Sequence, residues 1–422
     1  MNRSLLERVN PVFHTARMAL SGLAMAGDRD AAMIADRLGM GSDDGLKAED
    51  PLIRLQNLAN SVFLEIRYRT VGAIAGNSGC STIVDLPCGY TPRGLQMMRQ
   101  GRGYVGLDLP ATIQDMDRVV MPLAKSENRT RIRYAAVDAT NLESLESALE
   151  GVQGPICITT EGLLMYFNDF ETASLCDNIR RLLVKHGGCW ITSDPEMMVQ
   201  NTFVMQAIAG DRYQEIMDNL MRGFENKADI HVEAPSMMIL PWKNGGKDIE
   251  SDTEKALSFL AERGLQAERL EVESHMPEMM GFSSLEPEVV QAVREGMRHC
   301  AYWRITPRAE RSNGVTEETS GQRFSVKAAI SDGILKMSLA GRVDTLTAPQ
   351  VLELYERATR TDAISGVVID CEKLEYISSA GLRVLLIMKK DHPVRMISVG
   401  RLVMEILETA GFDSIFEVCG EK

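Results

Sequence analysis

Two α/β units in tandem are the fold class the sequence predicts: a parallel sheet covered by helices on both faces, then a smaller sheet with its own helices. Three observations predict it. Short apolar runs alternate with helical segments from Ser81 to Pro307. A polar stretch without periodicity, residues 308–323, breaks that rhythm. Strand and helix signals then restart at Phe324 and continue to the end. The length, 422 residues, independently calls for about two to three domains.

Residues 1–76 read as helices, because "LIRLQNLANSVFLEIRYRTVGAIAG" repeats its apolar residues at helical spacing and Gly72 to Ser78 supplies a stop. From Ser81 the strand candidates are "STIVDL", "GYVGLDL", "IRYAAVDA", "PICITTE" and "GGCWITSD". Helices are expected in "PRGLQMMRQ", "LESLESALEG" and "NDFETASLCDNIRRLLVKH". Residues 197–240 are Met-rich and mainly helical, the pattern of a cap inserted between sheet elements. The rhythm returns with "DTEKALSFLAERGLQAERLEVES", a helix, glycine turn and strand, and "AYWRITP" is the last strand candidate. Residues 308–323 have linker composition. In the remaining segment, 324–422, the expected order begins with "FSVKAAI", "ILKMSLA", the loop "GRVDTLTAPQ" and the helix "VLELYERAT". It continues with "GVVIDC", the loop carrying "SSAGL", a helix, "VRMISV", a helix and a short end strand.

Composition narrows the function classes. A net charge of −13 argues against nucleic acid as the main partner, since phosphate binding needs clustered Lys and Arg. The eight cysteines are scattered without CxxC pairs, so neither a structural metal nor a disulfide framework is expected, and a reducing cytoplasm is. Arg, Asn and His interrupt the apolar residues of the N-terminus, which therefore lacks a signal-peptide or membrane-spanning pattern.

Chemistry concentrates at strand ends. "STIVDLPCGYTPRGL" is strand, tight turn and helix, with Gly89 letting the backbone approach a ligand at a helix start. Asp108 ends the next strand nineteen residues later, where a carboxylate can accept both ribose hydroxyls. Asp85, Asp138 and Glu161 end neighbouring strands, and acids at successive carboxyl ends converge on one crevice. Pro87 stands where a dinucleotide fingerprint has its first glycine, which makes a nicotinamide cofactor the poorer choice.

"VDLPCGYTPR", "VGLDLP", "YAAVDA" and above all "TEGLLMYF" resemble the leucine carboxyl methyltransferase group of class I S-adenosylmethionine-dependent methyltransferases, which includes polyketide-type O-methyltransferases. The likeness runs from about residue 10 to 305. It implies a Rossmann-like sheet behind an N-terminal helical lid, residues 1–76, with S-adenosyl-L-methionine as cofactor and a small carboxylate or hydroxyl compound as methyl acceptor. It assigns Gly89 to the methionine part, Asp108 to the ribose, Asp138 to the adenine end and Glu161 to the sulfonium side. Arg69 matches the arginine that reaches the cofactor carboxylate, with Arg67 the second choice, and Arg93 matches the arginine after the glycine turn. Two positions depart from the pattern: Pro87 replaces a glycine and Thr91 an acid. Tyr166 is a substrate candidate, and no general base is assigned. His231 and His275 qualify only by residue type and read as surface or capping groups.

In the C-terminal segment, "AGRVDTLTAP" and "LEYISSAGLRVLL" resemble the two loops of the STAS domain, the fold of bacterial anti-sigma factor antagonists. The resemblance implies docking to a signalling protein, an anti-sigma factor that is also a serine kinase. It puts Ser379 at the phosphorylated position, with Ser378 in place of the preceding aspartate and Asp344 on the facing loop. A rival reading makes the first unit a non-catalytic sensor of the cofactor or a metabolite, whose state the STAS unit transmits.

Overall fold

The structure is a computed structural model that describes residues 12–40, 49–123, 131–218, 236–242, 246, 248–308, 324–331, 333–344, 347–361, 364–412 and 415–420. The chain divides into two compact units, one of residues 14–310 and one of residues 311–422 grouped with residues 1–13.

Among the described residues the helices α1 (Val12–Met25), α2 (Arg29–Arg37) and α3 (Pro51–Gly76) precede the first sheet. Each of the last two starts on an aspartate cap, Asp28 accepting from Asp30 and Ala31, and Asp50 from Leu52 with Pro51 at the first helical position. The sheet elements follow: β1 (Thr82–Asp85), α4 (Arg93–Arg99), β2 (Gly103–Asp108), α5 (Pro110–Val120), β3 (Ile132–Ala136), α6 (Leu142–Ala148) and β4 (Ile156–Thr160). Then come α7 (Asp169–His186), β5 (Gly188–Thr192), α8 (Met197–Ala209), α9 (Ile249–Glu262), β6 (Leu265–Glu271), α10 (Pro287–Arg298) and β7 (Ala301–Pro307). Strand order is β3-β2-β1-β4-β5-β7-β6. The first five strands are parallel, and β7 enters antiparallel between β5 and β6. The order reverses beside β1, between β2 and β4, and open α/β sheets bind ligands at such a switch point.

Two helices go beyond the expected elements. Both α5 and α10 begin with proline at the first helical position, and α5 buries Ile113, Met116, Val119 and Val120 at helical spacing. The signal was present in the pattern, but Asp, Arg and Gln between the apolar residues diluted it. The cap region begins as α8, which packs against α3. Residues 219–235, including His231, lie outside the described residues.

The second unit contains β8 (Ser325–Ser331), β9 (Ile334–Val343), α11 (Ala348–Thr361), β10 (Gly366–Ile377), α12 (Ser379–Asp391), β11 (Val394–Val399), α13 (Arg401–Thr409) and β12 (Glu417–Gly420). Its sheet runs β12-β11-β10-β9-β8, parallel except for the β8–β9 hairpin. β10 is longer than "GVVIDC" and reaches Ile377. Register shifts after Asp370 and Leu374 let "EKLEYI" keep pairing with the end of β9, so the segment is bulged strand where loop was expected. A continuous core including Leu335, Ile369, Val384 and Leu407 lies within this unit.

Candidate functional site

Four acids stand at the carboxyl ends of adjacent strands. Asp85 ends β1, Asp108 ends β2, Asp138 follows β3 and Glu161 follows β4. Parallel pairing sets Asp85 beside Gly106 on one side and Thr159 on the other, so these ends share one sheet edge. The β1–α4 turn crosses this edge. Its Leu86–Pro87 bond is cis, and Gly89 has φ +52°, left-handed backbone that favours glycine. A Cβ at Gly89 would stand 3.7 Å from Ala16, so α1 lies over the turn.

Asp108 is almost fully buried, at 5% exposure. Its Oδ2 accepts the Gly89 N–H at 2.7 Å and its Oδ1 the Leu109 N–H at 2.7 Å. Thr112 also hydrogen-bonds the side chain, and burial pushes the carboxyl up to about 6 despite these donors. A carboxylate offers about four lone-pair sites, so three protein donors leave room for a ribose hydroxyl. Asp138 Oδ1 accepts from the backbone N–H and hydroxyl of Thr140, at 2.9 and 2.8 Å.

Glu161 belongs to a buried charge cluster. Arg93, 1% exposed, donates to Glu161 at 2.5 Å and to the Tyr68 carbonyl at 3.0 Å, and stands 3.4 Å from Asp85. Its guanidinium also lies 4.6 Å from the centre of the Tyr68 ring. Burial opposes the charge, but Asp85 and Glu161 outweigh it, so the guanidinium stays protonated. Asp85 also accepts from Thr159 Oγ1 at 2.7 Å and Tyr104 OH at 3.1 Å. Burial raises its carboxyl while Arg93 opposes the rise. Asp85 and Arg93 are therefore enclosed behind Glu161, where they orient it.

Of the two candidate arginines on α3, the one beside Glu161 is Arg67, whose Nε is 3.5 Å from Oε2. Arg69, the first choice from the motif, instead lies 3.8 Å from Glu65. A helix turns about 100° per residue, so residues two apart point roughly 200° away from each other and only one can face this cluster. Arg67 also donates to the Met197 sulfur at 3.3 Å, which ties α3 to the start of α8.

Tyr166 closes a short 3-10 turn, Leu164–Tyr166, and its hydroxyl is 2.5 Å from Thr15 Oγ1 on α1. Thr91 turns its hydroxyl back onto the Cys88 carbonyl at 3.0 Å. His275 is exposed and hydrogen-bonds the Glu271 carbonyl through Nδ1 at 2.8 Å, a capping contact. Seven of the eight cysteines are buried free thiols. No group of His, Cys, Asp and Glu among the described residues could hold a metal ion, and no described helix is long and apolar enough to cross a membrane.

In the second unit Ser378 caps α12: its hydroxyl accepts the Gly381 N–H at 3.5 Å and its own N–H donates to the Val343 carbonyl at 2.8 Å. Ser379 is the first residue of that helix. Asp344 organises the facing loop, accepting from the Thr347 N–H and hydroxyl, each at 3.1 Å. A Cβ at Gly381 would come within 2.6 Å of Ile377 and 2.8 Å of Val343, so only glycine lets α12 sit on the ends of β9 and β10.

The STAS domain family model matches residues 325–421. The Bordetella bronchiseptica protein BtrV, described as an anti-sigma factor antagonist, is 38% identical over 99 residues, which span 22% of this chain and 82% of that protein. Among solved structures, the methyltransferase domain of a bacterial CtHen1 is similar at 12% identity, covering 58% of this chain and 99% of that one with TM-score 0.34. An O-methyltransferase family protein from Burkholderia thailandensis is similar at 12% identity, covering 68% and 74% with TM-score 0.33. The plantazolicin methyltransferase BpumL is similar at 11% identity, covering 72% and 100% with TM-score 0.30.

Proposed function

The chain belongs, through its C-terminal unit, to the family of STAS-domain proteins that includes anti-sigma factor antagonists, and from that premise we propose that it joins an S-adenosylmethionine-dependent O-methyltransferase unit to a partner-recognition module. The observation that carries the first half is the row of acids, Asp108, Asp138 and Glu161, on one sheet edge beside a turn whose glycine admits a ligand. The residues fit the cofactor. Asp108 retains acceptor capacity for the ribose, Asp138 stands on the adenine side, Gly89 permits close backbone approach, and Arg67 replaces Arg69 as the cation for an amino-acid carboxylate. Glu161 supplies negative charge where a sulfonium would lie.

When bound, the cofactor supplies an electrophilic methyl group. The chain's part is then alignment and exclusion of water, served by α1 over the glycine turn and by the Thr15–Tyr166 contact. A carboxylate acceptor needs no general base, whereas a hydroxyl does.

The second half of the proposal gives α12 the role of docking element for a signalling protein, an anti-sigma factor or serine kinase. Phosphate on Ser379 would add close to two negative charges at a helix start, tolerated by the helix dipole and repelled by an acidic partner surface.

A sensor without turnover is the second reading. It is favoured by Pro87 and by Thr91, whose hydroxyl is committed to its own turn in place of the usual acid. Calorimetric titration of the full chain with S-adenosylmethionine and S-adenosylhomocysteine tests both. Binding reduced at least tenfold by Asp108→Ala is expected, since a lost charged hydrogen bond costs about 1.5–3 kcal/mol. Binding without methyl transfer to small carboxylates and hydroxyl compounds would select the sensor, and no binding would remove the enzyme and the cofactor sensor, leaving only a sensor of another metabolite.

A further inference from the structure

The turn that carries Glu161 has a second tether, on its backbone side. Asp194, two residues beyond the end of β5, is fully buried. Its Oδ1 accepts the Gly162 N–H at 2.5 Å, and its Oδ2 accepts those of Leu163 and Leu164 at 2.8 and 2.9 Å. Three successive N–H groups converging on one point form an anion nest, here filled by the protein's own carboxylate. Burial raises this carboxyl, and the three N–H donors and Arg67 oppose the rise; hydrogen bonds to its ionised form are roughly twice as strong as neutral ones. Gly162 adopts φ +72°, which lets the three peptides turn toward Asp194. The Asp194 N–H in turn donates to Thr192 Oγ1 at 3.2 Å, fixing the aspartate to the end of β5.

Glu161 directly precedes this nest. Arg93 and Arg67 hold the tip of its side chain, but side-chain contacts alone leave its Cα free to shift with the turn. We propose that Asp194 is a positioning residue for Glu161: by clamping the three peptide groups that follow, it fixes where the Glu161 carboxylate stands at the crevice. This inference rests on the reading of the first unit as a cofactor-binding one. It adds a residue from just beyond the end of the neighbouring strand β5.

The test is a double-mutant cycle on the full chain, read by calorimetric titration with S-adenosylhomocysteine. Asp194→Asn places an amide NH2 against N–H donors and is expected to weaken binding about tenfold, the scale of one charged hydrogen bond. In a Glu161→Gln background the same change is expected to cost less than about twofold, because a residue acting through Glu161 has nothing left to position. Losses that multiply in full would overturn the proposal, since a merely structural role is independent of Glu161. Should Asp194→Asn not fold, Gly162→Ala strains the same turn without touching the carboxylate, and the same coupling is expected. If the wild-type chain binds no S-adenosylhomocysteine, the cofactor reading fails while the positioning claim stays readable. The Glu161 carboxyl 13C resonance then moves in Asp194→Asn, and a resonance that does not move overturns the claim.

Discussion

Burial holds the Asp108 carboxyl at about 6, above the ordinary aspartate value near 3.9, with Asp85 adding to the rise and the Gly89 and Leu109 N–H groups opposing it. Between those values the folded protein binds a proton that the unfolded chain does not. This group's contribution to stability is therefore present at acid pH and is lost as pH rises from about 4 to about 6, by an amount on the order of 3 kcal/mol. Ribose hydroxyls donate best to the ionised form, so cofactor affinity should move the opposite way and rise through the same window. Urea unfolding and S-adenosylhomocysteine titration at pH 4.5 to 7.5 would show the two slopes, and Asp108→Asn is expected to flatten both. Asp108, Asp138 and Glu161 were legible as site candidates because each sits at a strand end, a position local sequence reveals. The choice between Arg67 and Arg69 was not, since it depends on the rotation of α3 about its axis.

Among the elements, α12 shows how one residue sets the packing of a helix on its sheet. Gly381 brings this helix against Val343 and Ile377, and Ser378 caps it from the loop between β10 and α12. Gly381→Ala would gain helix propensity but drive a methyl into both strand ends. Overpacking of this kind costs about 1–3 kcal/mol, which should exceed the gain of about 1 kcal/mol from replacing glycine. Chemical denaturation of the second unit is expected to show the net loss, and unchanged or greater stability would mean that α12 can shift freely on the sheet. The sequence marked the serine cap and the glycine but stopped β10 at Cys371, six residues short. Charged residues in "EKLEYI" resemble loop composition, and only the extended partner strand β9 explains why they remain paired.

For the whole molecule, each unit buries its own core, one including Val84, Ile158 and Trp190 and the other Ile369, Val384 and Leu407. Two such cores joined by a stretch of linker composition should unfold separately. Differential scanning calorimetry of the full chain is expected to give two transitions, and residues 324–422 alone should reproduce one of them. A single cooperative transition would show that the units depend on each other for stability.

The sequence by itself determined the order of the strands and of most helices, the tandem arrangement, the strand-end acids and the serine-bearing helix start. All of these are written in local periodicity and short motifs, which a period of 2 or 3.6 residues makes readable. Tertiary structure alone decided that Arg93 and Asp85 lie enclosed behind Glu161, that Arg67 faces the same carboxylate, and that Asp194 holds the turn after it. Those contacts join residues 8 to 94 positions apart in the chain. Their partners are chosen by helix rotation and strand adjacency, which no short window of sequence contains.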